Sequence, residues 1–270
     1  MSPDLVFWLA LATKLLITAG FVVLASWAAE RAGPLMAAMV VTLPVAAGPT
    51  YVFLALDHDA AFIAASALTS LVSNAATVLF CAVYSLLAQS RGRMVSLALA
   101  LAIWIGFVTL LKPVGGSLAA AFTLSLAVFV VCLPIGWRLR HAPVPRPVRR
   151  WYDVPLRAGM VAGLVGTVVS LSSALGPATT GILALVPIVL ISLILILHPR
   201  LGGPATAAIT ANSIPGLAGF CLALVALHEA APLTGKAAAL AAALAVLMGW
   251  NLMLFGVSRY ARARAVRASA

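Results

Sequence analysis

The feature that most constrains the fold of this chain is a series of long runs without a charged residue. They cover residues 32–56, 60–90, 113–137, 158–199, 201–228 and 237–258. Each run reaches or exceeds the ~20 residues that cross the hydrocarbon core of a bilayer as a helix. The chain is 64% hydrophobic and 9% charged, which leaves too few charges to cover the surface of a soluble domain. Strands of a membrane barrel would need about ten alternating residues each, and no such alternation is visible. The sequence therefore predicts an all-α polytopic membrane protein.

The uncharged runs divide into nine predicted transmembrane helices, here called spans 1 to 9. The spans cover residues 5–28, 34–56, 60–88, 95–111, 117–135, 156–174, 178–197, 203–227 and 237–257. The run 158–199 holds two of them, because it is about twice the length of one span. The break between these two is predicted at residues 172–177, where serines and a glycine precede a proline. Residues 112–117 form a predicted turn.

The predicted organisation follows from these spans. The first membrane half is residues 1–135, a Pro/Arg-rich loop is 136–154, the second half is 155–257, and a basic tail is 258–270. The N-terminus lacks the basic start of a cleavable signal, so span 1 is expected to stay in the protein.

The charged residues between the spans predict an orientation. With nine spans, all fourteen arginines fall on one face with the C-terminus. The opposite face carries Asp4, Asp57, Asp59, Lys112, Glu229 and Lys236. Because cytoplasmic loops are rich in arginine and lysine, the arginine face is predicted to be cytoplasmic and the N-terminus outside. We expect a multi-pass protein of the plasma (inner) membrane.

Part of the sequence recurs, which indicates an internal repeat. In a first alignment of the two copies, Gly33-Pro34 and Pro44 match Gly176-Pro177 and Pro187. In a second alignment, which follows a short deletion between the proline and the histidine, the matches are His58 with His198, Ser73 with Ser213, and Phe80-Cys81 with Phe220-Cys221. Since span 2 would then correspond to span 7, an odd number of spans separates the copies, and they must cross the membrane in opposite directions. Spans 1–4 and 6–9 are thus predicted to be inverted-topology repeats joined by span 5, an arrangement typical of secondary transporters.

Prolines and small polar residues inside the spans are candidates for a central substrate site. They are Thr42, Pro44, Ser73, Asn74, Pro187, Asn212, Ser213 and Pro215. A proline inside a helix frees a backbone carbonyl, and such breaks are tolerated where they face protein or a water-filled cavity. The alternative is that these kinks and small side chains only allow helices to pack closely.

Lys14 is the charged residue that lies well inside a predicted span. An ionisable group within the membrane suggests a substrate or counter-ion role, because its burial is costly. Alternatively, the side chain extends to the outer interface. Its match in the first alignment is Arg157, so both residues could be cations at the edges of repeated helices.

The segment Asp57-His58-Asp59 is the densest cluster of ionisable residues. Histidine titrates near neutral pH and responds to neighbouring carboxylates, so the cluster could form a proton or ion gate. The alternative is a solvated turn at the outer end of span 2.

The sequence carries no nucleotide-binding loop, zinc-protease or serine-hydrolase motif, and we predict that the protein is not an enzyme. No cofactor or metal site is expected, since Cys81, Cys132 and Cys221 form no paired motif.

Transport of a small solute by alternating access is the function that the repeat favours. A membrane-embedded enzyme is a minor alternative. The main alternative is a non-transporting scaffold, assembly factor or partner subunit. The expected partners are the lipid bilayer and anionic headgroups at the arginine face, and the net charge of +11 is not taken to indicate nucleic acid.

Overall fold

The computed structural model describes residues 3–31, 46–140, 142–143 and 150–268. All regular secondary structure within these ranges is helical. The α-helices are α1 Pro3–Arg31, α2 Ala47–Asp57, α3 Ala60–Leu87, α4 Arg93–Leu111, α5 Leu118–Leu139, α6 Asp153–Ala184, α7 Ile188–Leu201, α8 Gly203–Ala211, α9 Ile214–Thr234 and α10 Lys236–Ala268. A short 3-10 helix, Lys112–Gly116, joins α4 to α5, where the sequence predicted a turn.

Seven helical stretches in the described residues are long and apolar enough to cross a membrane. They are Trp8–Ala25, Ala60–Leu87, Arg93–Gly116, Leu118–Leu139, Asp153–Leu201, Gly203–Thr234 and Lys236–Tyr260. The helical class expected from the composition is confirmed, and the apolar helices fit a multi-pass membrane protein.

Helix α3 lies at the centre of the bundle. Within its apolar window 78% of the residues are buried, against 28% for α4, 22% for α5 and 11% for α10. Helices α4, α5, α6 and α9 all pack directly on it. The peripheral helices instead expose large apolar side chains such as Leu110 and Val130, as expected for surfaces that face lipid.

The direction of the neighbouring helices follows from their hydrogen bonds to α3. Helices α8 and α9 run antiparallel to it. Their bonded pairs are Ser85 with Ala207, Asn74 with Leu217, and Ala64 with His228. The chain from Pro177 to Leu201 instead runs parallel to α3, because Ser66 bonds Pro177 and Tyr84 bonds His198.

The break predicted at residues 172–177 is confirmed at Gly176, which has φ +70° and ψ 170°. A side chain at this φ would be strained, and glycine removes that strain. Gly176 interrupts α6 before Pro177, so the 49-residue stretch Asp153–Leu201 changes direction at this point.

Two of the predicted spans are interrupted near the prolines that marked them in the sequence. In span 7 the α-helix stops after Ala184 and restarts at Ile188, because Pro187 has no N–H to continue the hydrogen-bond pattern. Span 8 is divided into α8 and α9 at Asn212 and Ser213. The second interruption is a tightened turn in which the Ser213 N–H donates to the carbonyl of Thr210.

Candidate functional site

The side chains that connect α3 to the interrupted segment form a row of hydroxyl groups. The row consists of Ser66, Ser70, Ser73 and Thr77, whose spacing of four, three and four positions places them on one helix face. The serine hydroxyls donate to the carbonyls of Pro177 at 3.2 Å, Gly181 at 2.7 Å and Ile182 at 3.0 Å. The Thr77 hydroxyl lies 2.9 Å from the Ser73 carbonyl of its own helix and 3.5 Å from the Leu185 carbonyl. We call these four residues the hydroxyl row.

The hydroxyl row supplies hydrogen bonds where helix α6 ends. Gly181 and Ile182 lie in its last turn, where carbonyls lose the regular donor four residues farther on. The Ile182 carbonyl also accepts the Leu185 N–H at 3.3 Å. In a bilayer such carbonyls must find a partner in the protein. The row therefore allows an interrupted helix to lie in the interior of the bundle.

Close packing of the two segments depends on Gly181. A Cβ at this position would lie 2.1 Å from the Ser66 carbonyl oxygen and 2.2 Å from the Thr69 Oγ1. Both distances are far below van der Waals contact, so the absence of a side chain lets the α6 backbone approach α3.

Two aromatic side chains extend the hydroxyl row. The Tyr51 hydroxyl of α2 forms a 2.7 Å hydrogen bond with the Ser70 hydroxyl, and the Trp104 indole N–H of α4 donates to Thr77 Oγ1 at 3.1 Å. Both aromatic residues are buried. The row thus links α2, α3, α4 and α6 by uncharged hydrogen bonds.

Asn74 lies where α3 crosses α9. Its Nδ2 donates to the Leu217 carbonyl at 3.1 Å, and its Oδ1 has no hydrogen-bond partner in the part of the chain that the structure describes. The side chain is fully buried. A buried carbonyl oxygen without a hydrogen-bond donor lowers the stability of the fold. This oxygen would therefore accept a donor if the helices separated.

The structure places the predicted substrate-site residues in three groups. Ser73 belongs to the hydroxyl row and Pro187 follows the interruption beside it, whereas Asn74 contacts α9 two positions beyond Pro215. The side chains of Asn212 and Ser213 donate to carbonyls of the preceding helix α8, those of Ala208 and Ile209. Thr42 and Pro44 lie outside the described residues. A substrate role for these residues stays a prediction, and Ser73 and Asn74 have no exposed surface in this conformation.

At the end of the bundle where α3 begins, Lys14 lies close to the segment 57–59. Its Nζ is 2.5 Å from the Asp57 Oδ2, which connects α1 to α2. Asp59 caps α3, since its Oδ1 accepts the Phe62 N–H at 2.8 Å. Lys14 therefore has a carboxylate partner, and Asp59 caps a helix. A role of these residues in substrate binding or gating stays a prediction.

His58 makes three contacts at the same end. Its Nε2 is 2.6 Å from the Ser172 hydroxyl, its ring stacks on Phe62 at 3.7 Å, and its carbonyl accepts a 2.7 Å hydrogen bond from Lys236. The ring is half-buried. His58 therefore joins α2, α6 and α10.

At the opposite end of α3, Arg200 forms a two-pronged ion pair with Asp153. The Arg200 Nη1 and Nη2 donate to the two carboxylate oxygens at 2.7 and 2.6 Å, and both side chains are about 15% exposed. Tyr152 lies under both Arg200 and Arg150, and the hydrogen bond from Arg150 lowers the pKa of the Tyr152 phenol. This cluster joins the start of α6 to the end of α7.

His198 lies at this second end, where its Nδ1 is 2.7 Å from the hydroxyl of the buried Tyr84. His58 and His198 are thus at opposite ends of α3. The described residues include no group of three histidine, cysteine or acidic side chains that could hold a metal ion. A shallow surface hollow of about 420 Å³ lies near His198 and is lined by Gly92, Arg93, Met94, Val95 and Pro199.

Comparison with known proteins gives no match. No protein-family model, curated protein or solved structure is similar to the chain. The site therefore has to be interpreted from its own geometry.

Reasoning from the sequence missed most of the hydroxyl row. Ser66, Ser70 and Thr77 were not proposed, although their spacing with Ser73 on one face of a span was visible. It also missed the ion pair between Asp153 and Arg200, because both had been assigned only to loops. Opposite charges at the start of span 6 and the end of span 7 were the available signal.

Proposed function

We propose that this protein is a secondary transporter of a small solute that works by alternating access between two inverted halves. The observation that carries the proposal is the interrupted segment, which is held on α3 at the hydroxyl row. Interrupted helices near the midplane, paired with repeats of opposite direction, are the architecture of many secondary transporters. Their free carbonyls and small hydroxyls can exchange partners between protein and solute without exposing a charge to lipid.

The direction of the helices supports the inverted repeat. Helix α3 corresponds to α8 and α9 in the second alignment of the sequence, and these helices run antiparallel to it. Three hydroxyl positions recur in that alignment: Ser66 with Thr206, Ser70 with Thr210, and Ser73 with Ser213. We infer nine spans, with α2 as the end of span 2 and two spans within Asp153–Leu201. The positive-inside bias then supports an inner-membrane protein with its C-terminus in the cytoplasm.

Counterflow in proteoliposomes tests this proposal. Purified protein is reconstituted, loaded in turn with amino acids, sugars, organic anions and amines, and assayed for uptake of the labelled counterpart. We expect one solute class to accumulate above the level of protein-free liposomes. Pro187→Ala should reduce this uptake several-fold, because it favours a continuous helix across the interruption. Pro134→Ala is the matched control, since Pro134 lies inside the uninterrupted helix α5.

The second candidate is a non-transporting membrane component. It is favoured by one observation, namely that Ser73 and Asn74 are fully packed. If no solute class moves and a stoichiometric partner copurifies from native membranes, the transport proposal is wrong and the scaffold function is supported.

A further inference from the structure

Two basic side chains make similar contacts at opposite ends of the bundle. Lys236, the first residue of α10, donates from Nζ to the His58 carbonyl at 2.7 Å. Arg93, the first residue of α4, donates from Nη1 to the Leu195 carbonyl at 3.3 Å. Each cation therefore binds a backbone carbonyl, that of the residue after α2 in one case and one within α7 in the other.

Both carbonyls lack a normal partner within a helix. His58 is the C-cap residue of α2, and the last carbonyls of a helix are left without an internal donor. Leu195 lies four positions before Pro199 in α7, and proline has no N–H to donate to it. Lys236 and Arg93 thus supply the missing donors.

The sequence relates the two contacts. A second short gap after Cys81 restores the offset of the first alignment, and Gly92-Arg93 then matches Gly235-Lys236 while Gly106 matches Gly249 farther along the same two helices. This is the alignment that relates Gly33-Pro34 to Gly176-Pro177. The two cations therefore occupy the same position in the two copies of the repeat.

The two contacts lie at opposite ends of α3. Lys236 bonds the residue that precedes α3 by two positions, whereas Arg93 follows its last turn. The 28 residues of α3 extend roughly 42 Å at 1.5 Å per residue, which is enough to separate the two faces of a membrane.

Further polar contacts close each end in the same way. A histidine–hydroxyl bond is present at both, between His58 and Ser172 and between His198 and Tyr84. An ion pair is also present at both. These pairs are Lys14 with Asp57 and Arg200 with Asp153. Each of these pairs joins two helices that are neighbours in the sequence, α1 with α2 and α6 with α7.

We propose that Lys236 and Arg93 are the two gate residues of the transporter, one for each face of the membrane. This inference rests on the proposed transport function. Release of Lys236 from the His58 carbonyl opens the end where α3 begins, and release of Arg93 from the Leu195 carbonyl opens the other end. Both contacts are formed here, so the structure is the state closed to both sides.

The test measures access to a buried cysteine behind each gate. Thr50 on α2 and Ser192 on α7 are fully buried, and the hydroxyl of each bonds its own helix. They lie at nearly equivalent positions of the two copies. Each is closer to the centre of the bundle than the carbonyl that its gate residue binds. Each is replaced by cysteine in a background where Cys81, Cys132 and Cys221 are alanine, and labelled with a membrane-impermeant thiol reagent from either side.

Lys236→Gln should raise the labelling rate of the Thr50→Cys reporter from the Lys236 face by about threefold to tenfold, the effect of weakening one hydrogen bond to a charged group. It should leave the Ser192→Cys reporter unchanged. Arg93→Gln should do the reverse from the opposite face. Lys112→Gln is the matched control, because Lys112 lies at the same end as Lys236 but donates to the Thr179 hydroxyl, and it should change neither reporter.

The outcomes distinguish gating from general loosening. Equal labelling of both reporters in one variant, or unchanged labelling in both variants, overturns the proposal. If a glutamine variant does not fold, Lys236→Arg and Arg93→Lys replace it. These variants keep the charge and should label like the wild type, and a change in the sidedness of labelling in either one also overturns the proposal. The assay needs no solute. If labelling changes on the expected side but no counterflow is found, Lys236 and Arg93 control access at the two ends and the transport function is wrong. If counterflow is found but labelling does not change, the transport function stands and the gate assignment is wrong.

Discussion

Replacement of Gly181 by alanine should be among the most damaging single-methyl changes in this protein. The added Cβ would lie 2.1 Å from the Ser66 carbonyl oxygen and 2.2 Å from Thr69 Oγ1. One of these neighbours is backbone of the central helix, so a side-chain rotation cannot relieve the overlap. The end of α6 must move away from α3 by about 1 Å to restore ordinary contact.

The expected cost has three parts. Overpacking in a well-packed interior costs about 1–3 kcal/mol. The movement also weakens the hydrogen bonds of Ser70 to Gly181 and of Ser66 to Pro177, each contributing about 0.6–1 kcal/mol between membrane helices. Alanine recovers about 0.5–1 kcal/mol of helix preference over glycine. The sum is a loss of about 2–4 kcal/mol.

Thermal unfolding in detergent measures this loss. For a chain of this size about 2–4 °C of Tm is lost per kcal/mol, so Gly181→Ala should lower Tm by roughly 5–15 °C. Gly163→Ala is the matched control in the same helix, because no atom lies within 4 Å of a Cβ placed there. It should leave Tm unchanged or raise it slightly. If Gly181→Ala melts within about 2 °C of the wild type, a shift worth less than ~1 kcal/mol, the close approach of α6 to α3 is not a feature of the folded protein.

Three further predictions concern individual polar contacts. Ser70→Ala removes the hydrogen bonds to Tyr51 and Gly181 and should lower the stability by about 1–2 kcal/mol in the same melting assay. Thr167→Ala is the control, because among the described residues its hydroxyl bonds only its own helix, and it should cost less than half of that. Equal losses would argue against the hydroxyl row. Arg200→Ala should destabilise by about 2–3 kcal/mol because it leaves a largely buried Asp153 carboxylate unpaired. If the lost charge pair causes this destabilisation, the double variant Asp153→Arg/Arg200→Asp should recover part of the lost stability. No recovery would mean that packing rather than charge explains the loss. Lys14→Ala should change Tm by less than about 3 °C, since its ion pair is partly exposed and such pairs contribute about 0–1 kcal/mol; a larger drop would show that this lysine is buried in the folded protein.

The class of the fold and the places where helices turn could be predicted from the sequence. Long uncharged runs require helices in lipid, and Gly176 with Pro177 breaks the chain through backbone geometry that no neighbour can override. The same local logic predicted the turn at Lys112–Gly116. These features depend on residues next to one another in the chain, so a linear pattern is enough to find them.

The candidate site was predicted only in fragments. Ser73, Asn74 and Pro187 were proposed because polar residues and prolines are conspicuous in apolar spans. Their partners, such as the carbonyls of Ile182 and Leu217, are main-chain groups that every residue carries, so no sequence signal marks them.

What the sequence determined by itself is that this chain forms helices long and apolar enough to cross a membrane, and where several of those helices are interrupted. Tertiary structure decided which helix is central, which carbonyls receive the hydroxyls of α3, and that Lys236 and Arg93 bond carbonyls at opposite ends of α3. The physical reason is that lipid-facing and core-facing positions are equally apolar in a membrane protein. Hydrophobic periodicity therefore cannot assign a face to each helix, and contacts between residues far apart in the chain are fixed by packing and by the need to pair every backbone polar group.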